Sequence, residues 1–197
     1  MTEPEDHELV ARVVAGDRGA FRPLVDRHGS RVFGLCLALL RHRQDAEDAA
    51  QDAFLKAFRA IHRFDPRFPF PAWMLKIATN VCRDRMRRRR REPVPLEAAG
   101  MAEPAAAPAE EADPREADRL LCLVGQAVEA LEPDYRAVFH LYHREQRSYA
   151  DIAVILDRPM GTVKTQLHRA RRRVCSLVEN LKDAPETDLG VPAGEPQ

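Results

Sequence analysis

The chain has four cysteines among its 197 residues, and none of them stands close to another. Zinc sites and redox motifs usually need two cysteines a few residues apart. Cys36, Cys82 and Cys122 fall in or beside apolar runs, and we interpret them as small core residues in a reducing compartment. Cys175 stands alone. Neither a metal site nor a redox role is expected.

Long apolar runs are also missing. No run approaches the ~20 residues that a transmembrane helix needs. The N-terminal segment carries Glu3, Glu5, Asp6 and Glu8, whereas a signal peptide begins with basic residues followed by an apolar stretch. No alternating strand pattern and no internal repeat is evident, and helical periodicity dominates. The sequence therefore predicts an all-α cytoplasmic protein.

The motifs of an enzyme are absent as well. There is no phosphate-cradling loop, no nucleophile motif and no carboxylate pair in a metal-like context. The seven histidines are dispersed. His140 and His143 are spaced to share a metal on one helix face, although packing explains the pair better. We expect no catalysis and no cofactor.

Net charge is zero, because 31 basic side chains balance 31 acidic ones. The distribution along the chain is uneven, however. Residues 1–92 carry a net charge of +6 and residues 119–182 a net charge of +4. Residues 93–118 carry −6, and the tail from residue 183 carries −4. Two basic segments, each followed by an acidic one, favour a nucleic-acid partner, although the net charge of zero alone would argue against one.

Composition divides the chain into two small helical domains on a tether. We predict an N-terminal domain over residues 1–92 and a C-terminal domain over residues 118–182. Residues 93–117, rich in proline, alanine and glutamate, are expected to form a flexible linker. Residues 183–197 are expected to be a disordered tail. A tether of this kind imposes no fixed arrangement on the two domains.

Apolar spacing predicts four helices in the first domain. The first covers Leu9 to Val14, and a second follows. The third begins at Asp45, which we expect to cap it, with Asp48 in the capping-box position. Three prolines make residues 63–71 a stiff loop. A fourth helix then runs from Ala72 through a series of arginines.

The C-terminal domain carries the signals of a helix-turn-helix. Ser148 and Asp151 form a capping box, Asp157 suits a left-handed turn, and Pro159 suits a helix start. The second helix combines an apolar stripe with short polar and cationic side chains, as a DNA-reading helix does. The alternative is an ordinary helical hairpin with a solvated basic face. The candidate DNA contacts are Thr162, Lys164, Thr165, Gln166, Arg169 and Arg172.

One side of the fourth helix combines an aromatic residue, an amide and cations, which suits single-stranded DNA. The helix presents Trp73, Lys76, Asn80, Arg83 and Arg87 at helical spacing. Aromatic residues of the adjoining loop add apolar walls for an unstacked base. The alternatives are a solvated charge run and, for Phe70 and Trp73, core packing. The loop candidates are Phe64, Phe68 and Phe70.

These segments together resemble RNA polymerase sigma factors. Asp45–Phe58 resembles the polymerase-binding helix of that family, and Phe70–Arg88 resembles its promoter-melting helix. Leu131–Arg173 is similar to its region-4 domain. The linker is too short for the extra middle domain of housekeeping sigma factors. The resemblance is therefore to the extracytoplasmic-function group, group 4 of the sigma-70 family.

The resemblance implies a role for each segment. The third helix would bind the clamp helices of the largest polymerase subunit through Glu47, Asp48, Gln51, Asp52 and Phe54. Asn80 and the aromatic loop would capture an unstacked base of the −10 promoter element, while the second domain would read the −35 element and contact the polymerase flap. An anti-sigma factor would be a further partner.

Several positions depart from the usual family pattern. Gln146 and Asp157 stand where glycine is common, Glu132 stands where leucine is common, and Thr165-Gln166 replaces a frequent Ser-Arg. The rival hypothesis is a helix-turn-helix regulator that binds promoters without polymerase. That hypothesis accounts for residues 131–173 but leaves the third and fourth helices unexplained.

Overall fold

The computed structural model describes residues 5–91 and 114–182, and both ranges are helical without a strand. The all-α prediction is confirmed. Most of the predicted linker and the whole predicted tail lie outside the described residues. The helices are α1 (Asp6–Val14), α2 (Phe21–Leu40), α3 (Arg43–Ala60), α4 (Phe70–Arg91), α5 (Pro114–Glu129), α6 (Pro133–His143), α7 (Tyr149–Leu156) and α8 (Met160–Lys182).

The N-terminal half is a bundle of α2, α3 and α4, with α1 packed against α2. On α3 the buried residues are mostly alanines, among them Ala46, Ala49 and Ala53, each 0% exposed. Their small side chains let α2 and α4 approach closely. Larger residues on the facing helices, such as Leu35 and Leu75, fill the space between them. This packing orients the outer face of α3 and one side of α4 toward solvent.

Several helix ends differ from the sequence prediction. His42, not Asp45, is the N-cap of α3, and its Nδ1 accepts a hydrogen bond from the Asp45 backbone N–H at 3.4 Å. Helix α4 begins at Phe70, because a proline is tolerated in the first helical turn. Helix α5 begins at Pro114, so residues 114–117, which the sequence analysis placed in the flexible linker, are helical. Proline again stands at the helix start.

The helix-turn-helix forms as predicted from α7 and α8. The Ser148 Oγ accepts a hydrogen bond from the Asp151 backbone N–H at 3.1 Å, and the capping box is complete. Asp157 ends α7 in the left-handed region, with φ 52°. Gln146 has φ 51°, and its amide donates to the His143 carbonyl at 2.6 Å. Both residues therefore adopt the backbone geometry for which the family commonly uses glycine.

The two halves of the chain share one apolar core. Helix α6 packs on α2, and α7 packs on α4. Leu141, Ile152 and Ile155 are fully buried in the same cluster as Leu35 and Leu75. A second, smaller cluster lies between α5 and α8. In the described structure the two halves are thus packed against each other, an arrangement that the sequence did not predict.

The cysteines are partly where the sequence placed them. Cys36 on α2 and Cys82 on α4 are buried. A hydrogen bond with Cys82, together with burial, raises the pKa of the Cys36 thiol far above its usual range. Cys122 is exposed, so its predicted core position is wrong, and Cys175 is exposed as well. No helix within the described ranges combines the length and the apolar character needed to cross a membrane.

Candidate nucleic-acid and protein interfaces

Helix α8 presents an open polar face. Its apolar stripe, including Val163, Leu167 and Ala170, is buried against the domain. The Thr165 hydroxyl donates to the Gly161 carbonyl at 2.9 Å, so this side chain is engaged within the helix. Gln166 is half-buried, and its Oε1 has no hydrogen-bond partner. The exposed members of the predicted DNA face are Thr162, Lys164, Thr165, Arg169 and Arg172.

Aromatic residues of α6 hold the neighbouring arginines of α8. The Arg171 guanidinium lies 4.8 Å from the centre of the Tyr142 ring, and that of Arg173 lies 4.7 Å from the Tyr135 ring. Arg173 also forms an ion pair with Glu132, which accounts for a charged residue where the family commonly has leucine. These contacts fix α8 on its domain and leave Arg169 and Arg172 facing solvent.

The predicted single-strand face of α4 is only partly open. Asn80 and Arg87 are exposed, and Arg87 donates to the Asp84 carboxylate at 2.9 Å. Lys76 and Arg83 are half-buried. Burial, with a smaller contribution from Arg158, lowers the pKa of Arg83. The structure thus leaves the amide of this face available and covers two of its cations.

The aromatic loop separates into a buried part and an exposed part. Phe70 is 0% exposed and packs against the His28 ring at 5.4 Å, so core packing is its observed role. Phe64 is half-buried and meets Trp73 edge to face at 5.3 Å. Phe68 is 49% exposed. Phe68 is therefore the loop aromatic best able to form an apolar wall for a base.

The first turn of α1 supports this loop, which the sequence did not indicate. The His7 ring stacks on Phe64 with centroids 5.8 Å apart, and its Nε2 lies 3.3 Å from the Phe68 carbonyl oxygen. Asp6 lies 2.8 Å from the Nε2 of buried His28. Burial lowers the pKa of His28, and Asp6 opposes that effect. A cavity of about 310 Å³ opens between this turn and residues 69–71.

The outer face of α3 is acidic and exposed. Glu47, Asp48 and Gln51 face solvent. The Asp52 carboxylate accepts a hydrogen bond from Arg85 of α4 at 2.5 Å and remains 49% exposed. Arg89 forms a second ion pair from α4 to α3, with Asp45. The carboxylates of this face are thus partly held in place by arginines of the neighbouring helix.

Phe54, predicted on that face, is instead nearly buried. It packs edge to face against Phe21 of α2, with centroids 6.4 Å apart, and is 9% exposed. The next residue, Leu55, is 48% exposed. Leu55 is thus the exposed large apolar side chain of α3. The spacing of the buried alanines on α3, at 3.6 residues per turn, would have predicted that Leu55 is exposed.

The C-terminal half contacts the covered cations of α4. Arg83 donates to the Leu156 carbonyl at 2.9 Å. Lys76 borders a cavity of about 440 Å³ whose other walls include Val154 and Asp157. Farther along the same contact, the Nε of Arg31 lies 2.5 Å from Glu145 Oε2.

Two family models match the chain. Residues 24–92 match Sigma-70 region 2, and residues 123–174 match Sigma-70 region 4. Among curated relatives, the RNA polymerase sigma-H factor of Pseudomonas aeruginosa is 33% identical over 92% of this chain and 97% of its own length. The ECF RNA polymerase sigma factor SigW of Bacillus subtilis is 33% identical over 88% of this chain and 95% of its own length.

Two solved structures are similar across both halves of the chain. CnrH, in complex with the cytosolic domain of CnrY, superposes with a TM-score of 0.66 at 26% identity, covering 91% of this chain and 99% of CnrH. The sigma factor RpoE of Bartonella quintana, in complex with the anti-sigma factor NepR, gives 0.64 at 26% identity, covering 81% and 96%.

Proposed function

Because the chain belongs to the sigma-70 family, as an extracytoplasmic-function sigma factor, we propose that three surfaces of its helices divide the work of promoter opening. The chain supplies promoter specificity to RNA polymerase and carries out no catalysis of its own. The proposed surfaces are the acidic face of α3, one side of α4 with its loop, and the polar face of α8. Within the predicted boundaries, residues 1–92 hold the first two and residues 118–182 the third.

We assign reading of the −35 element to α8. A helix that enters the major groove reads base edges with its N-terminal residues and holds phosphates with cations farther along. Lys164 and Gln166 stand in the first part of α8, where they could reach guanine and adenine edges. Thr162 and Arg169 would also read the element in the major groove, and Arg172 would contact the backbone. The exposure of Lys164, Arg169 and Arg172 supports this assignment.

We assign capture of the −10 element to Asn80 with Phe68. An exposed amide can hydrogen-bond the edge of an unstacked base, and an exposed aromatic ring can cover its face. Lys76, Arg83 and Arg87 would neutralise the strand backbone. Unstacking a base costs a few kcal/mol, which capture of one or two bases offsets, so melting needs no catalyst. Phe64 and Trp73 would support the loop from behind.

We assign polymerase binding to α3. Glu47, Asp48, Gln51 and Asp52 form an exposed polar strip, and Leu55 adds an apolar contact beside it. Such a strip suits the clamp helices of the largest subunit, while the C-terminal domain would bind the flap. Phe54 would act indirectly, by packing α3 on α2.

We further propose that the protein acts in the cytoplasm and is controlled by an anti-sigma factor. RpoE of Bartonella quintana is bound to such a partner in its solved structure, and RpoE superposes on both halves of this chain. The alternative, a regulator that works without polymerase, is not favoured. It leaves residues 24–92, which match Sigma-70 region 2, without a role.

The observation that carries the proposal is the presence of an exposed Asn80 on a cationic helix in the same chain as an open recognition face on α8. Run-off transcription from a promoter-fragment library tests it, with bacterial core polymerase alone and with the protein added. Sequence-specific starts should require both components. A Lys164→Ala, Arg169→Ala variant should lose these starts, whereas Arg22→Ala, a change on α2, should keep them. Specific binding to promoter fragments without polymerase, and no starts, would refute the assignment.

A further inference from the structure

Two tyrosine rings lie beside the recognition helix and against each other. Tyr142 is near the end of α6, and Tyr149 is the first residue of α7. Their rings are stacked, with centroids 5.3 Å apart and 27° between the planes. Both rings are half-buried and pack on the apolar core. Ring pairs at this distance attract each other beyond their shared apolar contact, so the two tyrosines support each other.

Each ring of the pair lies under a cation of α8. The Arg171 guanidinium lies 4.8 Å from the centre of the Tyr142 ring. The Lys164 ammonium nitrogen lies 5.8 Å from the centre of the Tyr149 ring. The two cations are two helical turns apart and therefore stand on one face of α8. A cation within about 6 Å of a ring centre is attracted to the ring face. These four residues form what we call the cation–ring stack.

Both ends of the stack have anchors outside it. The Nε of Arg171 donates to His143 Nε2 at 3.2 Å, which holds the guanidinium over its ring. At the other end, the capping box of Ser148 and Asp151 determines where α7 begins. Because Tyr149 directly follows the cap, the capping box also sets the position of its ring. The ring against which Lys164 rests is thus fixed independently of Lys164.

Lys164 needs such support if it is to read one particular base pair. Its side chain is exposed on the polar face of α8. A lysine is a point charge on a flexible stem, and a free stem can reach acceptors on several bases. Restricting the stem before binding reduces the conformational entropy lost in the complex. The ammonium group has three donors, so it can remain over the ring while it donates to guanine O6 or N7.

We propose that Tyr149 is a specificity-determining positioning residue, whose ring orients Lys164 toward one base pair of the −35 element. This inference rests on the proposed assignment of Lys164 to that element. Tyr149 acts through the lysine and contacts no base itself. Without the ring, the charge of Lys164 still attracts DNA, but the side chain no longer selects that base pair. Removing the ring therefore changes base preference at one position more than overall promoter use.

The test is run-off transcription by core polymerase with the full-length protein, on promoters in which each −35 position carries all four base pairs. The position read by Lys164 is the one where Lys164→Ala abolishes the preference. Tyr149→Leu should reduce the preference at that position about two- to fivefold, the factor that an exposed cation–ring contact supplies. The other positions should keep their preferences. Tyr149→Phe retains a ring and should behave as the unmodified protein does.

Tyr135→Leu is the matched control. Tyr135 is also half-buried, and its ring also lies close to a cation of α8, at 4.7 Å from Arg173. Arg173 is paired with Glu132 and has no assigned base. Tyr135→Leu should therefore leave the preference at every −35 position unchanged.

A double variant shows whether the ring acts through the lysine. Tyr149→Leu should have no further effect on base preference when it is added to Lys164→Ala, because the group that the ring positions is then absent. An equal effect of Tyr149→Leu with and without Lys164 would mean that the ring merely stabilises the domain, and would overturn the inference.

A measurement on the unmodified protein tests the contact even if Tyr149→Leu does not fold. In solution NMR, the ring current of Tyr149 should shift the ε-methylene protons of Lys164 upfield, and Tyr149→Phe should retain this shift. Unshifted Lys164 protons in the unmodified protein would overturn the inference.

The outcomes distinguish this inference from the proposed function. No sequence-specific starts with the unmodified protein would overturn both. Unaltered preferences in Lys164→Ala would overturn the assignment of Lys164 and the role of Tyr149 with it. Starts that require the protein, with the same preferences in Tyr149→Leu or with a uniform loss at all positions, would leave the proposed function intact and overturn the role of Tyr149.

Discussion

Replacing Asp48 and Asp52 of α3 by alanine should weaken polymerase binding and leave the fold nearly unchanged. Asp52 is 49% exposed in its pair with Arg85, and an exposed pair of this kind contributes about 0.2–1 kcal/mol. The contact of Asp48 with Gln44, at 3.5 Å, is at the limit of a hydrogen bond. Alanine is the better helix former by up to about 0.7 kcal/mol at each position. The stability lost with the two side-chain contacts and the stability gained from the higher helix propensity of alanine therefore nearly cancel.

The melting temperature should consequently change by no more than about 3 °C, since 1 kcal/mol corresponds to about 2–4 °C in a protein of this size. Polymerase affinity should fall on the order of tenfold or more, equivalent to about 1.4 kcal/mol per factor of ten. Calorimetry or circular dichroism gives the first quantity, and titration of labelled protein with core polymerase gives the second.

Asp26→Ala is the matched control. Asp26 lies on α2, is 63% exposed and pairs with Arg22 at 3.5 Å, so it loses a comparable interaction away from α3. It should preserve both stability and polymerase affinity. The reasoning fails if the double variant loses 10 °C or more, because the aspartates would then hold the fold together. It fails equally if the double variant binds polymerase as tightly as the unmodified protein.

Three further outcomes are expected. Asn80→Ala should reduce promoter opening more than closed-complex formation in footprinting, and equal losses would remove its base-capture role. Phe70→Ala should cost about 3–5 kcal/mol of folding free energy, because its ring is fully buried. Phe68→Ala should change stability little but reduce promoter opening. Equal stability losses of the two variants in urea titrations would contradict the different placement of the two rings. Burial, with a contribution from Arg144, lowers the pKa of His140 to about 4. The unfolded chain therefore binds the proton more tightly, so the stability contributed by neutral His140 is complete above about pH 6.5 and falls between there and pH 4. By pH 5 the loss of folding free energy should be about 2 kcal/mol. The His140→Leu variant should not show this loss. If the folding stabilities of the variant and of the unmodified protein fall in parallel with pH, His140 is not the group responsible.

Local features of the fold were predictable because their signals lie within a few residues of one another. The Ser148–Asp151 capping box and the left-handed Asp157 define the turn between α7 and α8 from neighbouring side chains alone. The helix starts were less predictable. His42 competes with Asp45 as the cap of α3, and sequence preference favours aspartate. Geometry decided otherwise, because the His42 ring nitrogen reaches the Asp45 backbone N–H.

The exposure of the candidate site residues depended on contacts between distant segments. Phe54 and Leu55 are adjacent, and the Phe21 ring on α2 determines which of them is buried. The half-burial of Arg83 depends on Leu156, 73 residues away. His7 supports a loop 61 residues farther along the chain. Composition and spacing carry little information about such pairs, so the sequence predicted the helices and the helix-turn-helix more completely than the exposure of the candidate site residues.

The common core of the two halves has a consequence for engineered sigma factors. Grafting the C-terminal domain of another sigma factor onto residues 1–92 would retain the promoter-reading helix of the donor but bring a foreign partner for α2 and α4. The apolar surface of α2 and α4 that now packs against Ile152, Ile155 and Leu156 would then face side chains that it does not match. A hybrid with altered promoter preference would therefore also need the donor's counterparts of the α2 and α4 residues at this contact, Arg31 among them. The unit to transplant is a recognition helix together with the surface on which its domain rests.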